Sequence, residues 1–250
     1  MKRFFLIYFF SSIFFLPLVA QSDAIKRAND FYAKGNYQAA AQEYEKILKE
    51  EGFSPELYYN LGNAYYKMNE IGKAILNYER ALRLSPRFED ARFNLQMAQQ
   101  KLVDNISESS TFFIQRWLTS LINFCTSNQW FIVSFILFVV TLICVFIFFF
   151  KREVNVRKIA LSCGIVFLIL TIVCLTFSGI RKNEEVNHNQ AIILSGVVTV
   201  KSAPDQSGTD LFQLHEGTKV TIKSSLGNWV EIKIANGSVG WLETKDMEVI

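Results

Sequence analysis

Few side chains in this chain could make or break bonds, and none is placed to do so. The two histidines, His188 and His215, have no cysteine neighbours, and neither is read as a metal ligand. No glycine-rich phosphate loop occurs, and no serine, histidine and aspartate set stands out. The four cysteines, Cys125, Cys144, Cys163 and Cys174, fall in or beside apolar runs, where a thiol behaves as a small hydrophobe and implies no disulfide framework. The chain is therefore expected to be non-enzymatic, with no catalytic residue, cofactor or metal. What recurs is of another kind: Asn29 returns as Asn63, Phe31 as Tyr65, Ala40 as Ala74 and Tyr44 as Tyr78, each 34 positions later. A period of that length belongs to stacked helical hairpins, whose curved arrays hold a peptide or a protein.

The elements that would carry these residues are legible around them. Leu57, Leu61, Ala64 and Tyr65 form one apolar stripe at helical spacing, and Ala74, Ile75, Tyr78, Ala81 and Leu82 a second. Gly62 permits close helix contact, and Pro86 ends the second helix. The set Leu61, Gly62, Tyr65, Ala74, Tyr78, Ala81 and Pro86 resembles the tetratricopeptide signature; Ala28, Phe31, Ala40 and Tyr44 match it in the preceding unit. Residues 21–54 and 55–88 are read as two repeats and 89–104 as a lone closing helix, together one domain over 21–104. The resemblance implies that the first helix of each hairpin lines the inner face. By position this puts Asn29, Tyr32, Tyr59, Asn63, Tyr66 and Lys67 in a peptide-binding groove. Asn amides can pair with peptide backbone and Tyr supplies flat area with a hydroxyl, so the combination suits an extended peptide; packing between hairpins is the other use of such tyrosines.

Half of the 250 residues are hydrophobic and 23 are Phe, too many for one water-soluble domain. The excess falls in three blocks. The first, behind Lys2 and Arg3, reads as a signal peptide over residues 1–20, with a cut after Ala24 or retention as an anchor as alternatives. The other two, 130–150 and 159–180, are uncharged and long enough to span a bilayer. Between them, loop 151–158 carries four cations and one anion, which places it in the cytoplasm and both flanking domains outside; Arg181 and Lys182 weigh slightly against this. Residues 105–129 are read as a linker with an interfacial helix bearing Phe113, Trp117, Leu121 and Phe124, or else a core helix beneath the repeats. Ala160 and Gly164 make a small-residue helix-packing patch for the partner span or for another protein. The formal net charge of +3 gives no footprint for nucleic acid.

After a linker at 181–189 the period changes to two, in short Val-, Ile- and Thr-rich runs separated by turns. The runs from Val197, Leu214, Asn228 and Asn236 resemble a bacterial SH3 domain, so 190–250 is expected to be a small all-β SH3-like barrel. Asn236-Gly237 is read as its tight hairpin turn, and Trp229 and Trp241 as part of its core.

The fold class expected is thus a multidomain membrane protein: α-helical tetratricopeptide repeats, two transmembrane helices and an SH3-like barrel. That order of modules resembles the BatE-type membrane proteins of bacterial aerotolerance operons. The resemblance implies a scaffold in the bacterial inner (cytoplasmic) membrane with both terminal domains periplasmic. It further implies work beside von Willebrand A-domain membrane proteins and a MoxR-type AAA ATPase in envelope or oxidative stress tolerance. The alternative is a peptidoglycan-binding regulator whose repeats recruit a murein hydrolase.

Overall fold

The computed structural model describes residues 23–104, 113–187 and 189–250. The signal peptide expected over 1–20, part of the linker expected at 105–129, and His188 lie outside the described residues. Five helices form the first unit: α1 (Asp23–Ala33), α2 (Tyr37–Glu50), α3 (Pro55–Lys67), α4 (Ile71–Leu84) and α5 (Glu89–Gln99). Their starts follow from capping chemistry. The Ser54 hydroxyl accepts the Leu57 amide at 3.1 Å ahead of Pro55, and Asn36 Oδ1 accepts the Ala39 amide at 3.2 Å. The turns inside the two hairpins use equivalent positions: Gly35 (φ 78°) and Asn69 (φ 63°) both adopt the left-handed conformation that those two residue types tolerate best. Ala28, Ala40, Ala74 and Ala81 are fully buried, and the buried Tyr44 and Tyr78 each bond an asparagine on the first helix of their own hairpin. At Gly62 a methyl group would stand 2.7 Å from Tyr78 Cε1, so the close approach requires glycine.

The short α6 (Phe113–Ile122) exposes Phe113, Ile114, Trp117 and Leu118, and the Trp130 indole donates to the Ile122 carbonyl at 2.9 Å. Thr126 and Gln129 cap one another at the start of α7 (Ser127–Phe150). The next helix, α8, runs from Val154 to Val186 without a break. Helices α7 and α8 are both long and apolar enough to cross a membrane. The helical hairpin is longer than the sequence reading made it: Val154–Lys158 and Arg181–Val186, assigned to loop and linker, are helical. The charged residues at both ends of the second apolar block do not interrupt α8, because Arg, Lys and Glu are strong helix formers. Only Lys151–Glu153 separate the two helices.

Seven strands complete the chain: β1 (Gln190–Ile193), β2 (Val197–Lys201), β3 (Asp210–His215), β4 (Lys219–Leu226), β5 (Trp229–Lys233), β6 (Val239–Glu243) and β7 (Met247–Val249). They form one antiparallel sheet in the order β3-β2-β6-β5-β4-β1-β7, as expected for an SH3-like domain. Ile193, Val200, Val230, Ile232 and Leu242 point into its core. Trp229 and Trp241 do not join them. The alternation that turns Val230, Ile232 and Leu242 inward turns both tryptophans outward, where they are half-buried beside Glu243 and Glu231 of the facing strand.

The barrel sits on the repeats. Ile192 and Ile250 are buried in the helical core rather than in the barrel's own, so β1 is apolar on both faces. Around this contact Glu216 Oε1 accepts the Gly72 amide at 2.8 Å, Lys219 meets Glu79 at 2.8 Å and Arg80 meets Glu248 at 2.8 Å. Asp104, beyond α5, accepts from the His215 amide (2.7 Å), the Thr218 hydroxyl (2.8 Å) and contacts His215 Nδ1 (2.7 Å).

Candidate functional site

The first helices of the hairpins converge on a hollow of about 310 Å³. Tyr32 enters it from α1, and Tyr59, Asn63, Tyr66 and Lys67 from α3. Five of the six residues expected in the groove are thus brought together. The sixth, Asn29, is not among the lining residues; its Oδ1 is taken by the Tyr44 hydroxyl at 2.6 Å, which locks α1 to α2. The same bond recurs one repeat later, where Tyr78 donates to Asn63 Oδ1 at 2.8 Å. Asn63 differs from Asn29 because α5 supplies Asn94, whose amide donates to the same oxygen at 2.8 Å and to the Tyr59 hydroxyl at 3.3 Å. The oxygen of Asn63 is therefore committed to the fold, and what it can offer a ligand is its amide N–H pair.

Tyr78 of α4 and, from α5, Phe93, Asn94 and Met97 complete the lining, and Phe93 is well exposed. Sequence reasoning assigned α5 a capping role and missed its three lining residues, although Asn94 stands 31 positions after Asn63 and Asn60-Leu61 returns as Asn94-Leu95. Lys101 was missed as well: its ammonium lies 4.1 Å from the Tyr66 ring centroid, a cation–π contact that fixes the ring at the edge of the hollow. Tyr59 leans on Phe88 with ring centroids 4.9 Å apart. The result is a wall of tyrosine rings held by neighbours before any ligand arrives, which lowers the entropic cost of using them for binding. Burial pushes the Tyr44 phenol up to about 12 and raises Tyr78 as well, with neighbouring tyrosines adding to both. These hydroxyls act as fixed hydrogen-bond donors at physiological pH.

No residue of the barrel lines this hollow. Among the described residues no three His, Cys, Asp or Glu side chains come together as metal ligands. The small-residue patch lies elsewhere: Ala160 and Gly164 are buried against α7, where a Cβ at Gly164 would stand 3.3 Å from that of Cys144.

Residues 55–88 match the tetratricopeptide repeat family, and residues 196–248 match the bacterial SH3 domain family. The chain is also similar to tetratricopeptide repeat protein 16 of Homo sapiens and of Macaca fascicularis. Each is 31% identical over 87 residues, which is 33% of this chain and 10% of the relative. The mouse protein of that name gives the same identity over 11% of its length. The chain thus spans about a tenth of these curated relatives. Both matched modules are of kinds that typically bind proteins and carry no catalysis of their own.

Proposed function

We propose that this protein is a non-enzymatic, membrane-anchored adaptor that grips an extended segment of a partner protein in the hollow lined by Tyr32, Tyr59, Asn63, Tyr66 and Lys67. The observation that carries the reading is the pre-arranged aromatic and amide wall, left uncovered by the barrel. The helices α7 and α8 act as the anchor. Direct contact between repeats and barrel supports placing both on one side of the membrane, since a two-span hairpin returns the chain to the side it left. The cationic turn at Lys151 and Arg152 then lies on the cytoplasmic side and both modules in the periplasm, by the positive-inside rule. The order of modules, similar to that of BatE-type proteins, suggests von Willebrand A-domain membrane proteins and a MoxR-type AAA ATPase complex as the assembly served, in envelope or oxidative stress tolerance.

A second reading has its own observation. Trp229 and Trp241 lie on one outer face of the barrel, and half-buried aromatics of this kind are common at recognition surfaces. On this reading the barrel binds peptidoglycan and the repeats recruit a murein hydrolase. Cross-linking in intact cells, detergent extraction and mass spectrometry of co-purified proteins separates the two. Recovery of A-domain proteins, lost on Asn63→Ala and Tyr66→Ala, supports the adaptor; recovery of only wall enzymes and murein fragments, lost on Trp241→Ala, supports the second reading and rejects the first.

A further inference from the structure

Where α4, the end of α6, the end of α8 and the start of the barrel meet, they enclose a polar cavity of about 460 Å³. Four cationic side chains face it, Arg83, Arg92, Arg181 and Lys219, against two side-chain carboxylates, Glu79 and Glu184. Arg181 is the unusual member. It is only 4% exposed, and side chains of this type are rarely buried so deeply. Its Nη1 donates to Asn123 Oδ1 at 3.2 Å and pairs with Glu184; its Nη2 donates to the Arg83 carbonyl at 3.2 Å. Its Nε–H is buried with no partner among the described residues, and an unmet buried donor of a charged group is costly.

The depth of the cavity identifies what could meet that donor. Ser127 and Ser178 each donate a hydroxyl hydrogen bond to the other's carbonyl at 3.0 Å, tying together the ends of α7 and α8 on this side. Arg181 stands three residues beyond Ser178, less than one helical turn, or about 4.5 Å, farther along the axis. Asn123 stands just before the capping Thr126 that starts the other helix. Close by, Trp130 and Phe124 provide the amphipathic and apolar rings expected at a membrane boundary, and Arg87 lies over the Phe124 ring at 4.3 Å. If α7 and α8 span the bilayer, the cavity opens at the level of the polar headgroups, which occupy several ångströms on each side of a hydrocarbon core of about 30 Å.

We propose that this cavity holds the phosphate of an anionic phospholipid headgroup, with Arg181 at its floor, Arg92 and the Glu79-paired Lys219 at its rim, and the Asn183 amide and the N–H that Asn187 does not give to Asn183 available to the remaining oxygens. An arginine-lined, amide-rich cavity suits phosphate oxygens, and a lipid delivers one at this depth. A bound lipid would join repeats, barrel and hairpin, since each contributes a wall. The inference rests on the membrane-spanning reading of α7 and α8, but not on any protein partner.

The test uses the full chain reconstituted in nanodiscs of phosphatidylcholine alone or of an equimolar mixture with phosphatidylglycerol, then released in mild detergent for native mass spectrometry. Phosphatidylglycerol is expected to stay bound in preference to phosphatidylcholine. Arg181→Gln should lower that retention by about tenfold, the factor for one lost charge-assisted contact. Arg92→Gln, at an exposed rim position that leaves the helix junction intact, should lower it by a smaller factor and guards against misfolding of the first variant. Equal retention of both lipids, or retention unchanged in both variants, overturns the proposal. So does saturation of the site by inorganic phosphate without retained lipid, which would make it a site for a soluble anion. Carbonate extraction of the same protein from membranes separates the failures: a chain that resists extraction but holds no phosphatidylglycerol refutes the site alone, whereas an extractable chain refutes the spanning reading and the lipid assignment with it.

Discussion

Asp104→Ala should loosen the barrel from the repeats while leaving each folded. The Asp104 carboxylate receives three polar contacts from the barrel, all between 2.7 and 2.8 Å, and its side chain is 15% exposed. A hydrogen bond to a charged group contributes about 1.5–3 kcal/mol, but three that share one carboxylate are not additive. The alanine variant also strands the His215 amide. A loss of about 2–3 kcal/mol follows, raising the undocked population about 30- to 150-fold. Native-state hydrogen exchange reads this directly, since the His215 amide, and the Gly72 amide held by Glu216 nearby, should lose protection by that factor while β5 and β6 keep theirs. The contact is pH-dependent in a known direction. Burial pushes the Asp104 carboxyl up, but the His215 amide, the Thr218 hydroxyl and the His215 ring outweigh it and hold the group below its ordinary 3.8. A depressed carboxyl contributes stability that is fully present above the ordinary value and is lost as pH falls through the depressed one. Docking should therefore hold from neutrality down to about pH 4 and weaken below it, and the alanine variant should lose that acid dependence. Protection unchanged within about twofold in Asp104→Ala would refute the account, because a group worth 2 kcal/mol cannot be removed so quietly.

Three further outcomes test other parts of the structure. Gly62→Ala places a methyl 2.7 Å from Tyr78 Cε1 and should destabilise the repeats by about 1–3 kcal/mol, seen as a lower unfolding midpoint by circular dichroism. Gly164→Cys puts a thiol-bearing Cβ 3.3 Å from Cys144 Cβ, close to disulfide spacing, so oxidation should join the two long helices and keep them together after cleavage at Lys151–Glu153; no cross-link would refute their pairing. Absorbance titration of Tyr44→Phe against the parent should show one phenol fewer ionising near pH 12, not near the ordinary 10.0.

The repeats were readable because their period is enforced at many positions at once: small buried residues, tyrosines that tie the two helices of each hairpin, and left-handed turn residues at equivalent places. The same period placed the residues that line the hollow, though position alone could not separate Asn63 from Asn29. Both bond a tyrosine of the following helix, and only the presence of Asn94 on α5 draws one of them into the hollow. The tryptophans were misplaced because size was weighed above parity; Val230 and Ile232 already fixed which face of β5 points inward. The docking of the barrel had one sequence signal, the unbroken Ala191-Ile192-Ile193 run. A strand apolar on both faces must be covered on both, and here the outer cover is α4. The polar contacts of Asp104 and Arg181 join residues 111 and 98 positions from their partners, with no local pattern to announce them.

Arg181 gives the fold a mechanical property that its modules lack separately. Helix α8 continues past its apolar stretch without a break, and its last turns hold the Arg83 carbonyl of α4, the helix that also carries the barrel. The direction of the hollow relative to α7 and α8 is thus set by a packed junction. A flexible tether would let the hollow search a wide volume and bind weakly at any one place, since effective concentration falls with the volume explored. A fixed junction instead presents the hollow at one height and one angle, favouring a partner segment that is itself held near the membrane. On this reasoning, breaking the junction with Arg181→Gln should leave binding of a free peptide to the hollow unchanged, while weakening capture of the same peptide anchored in the same bilayer. Equal weakening of both would show that the junction shapes the groove itself and not its orientation.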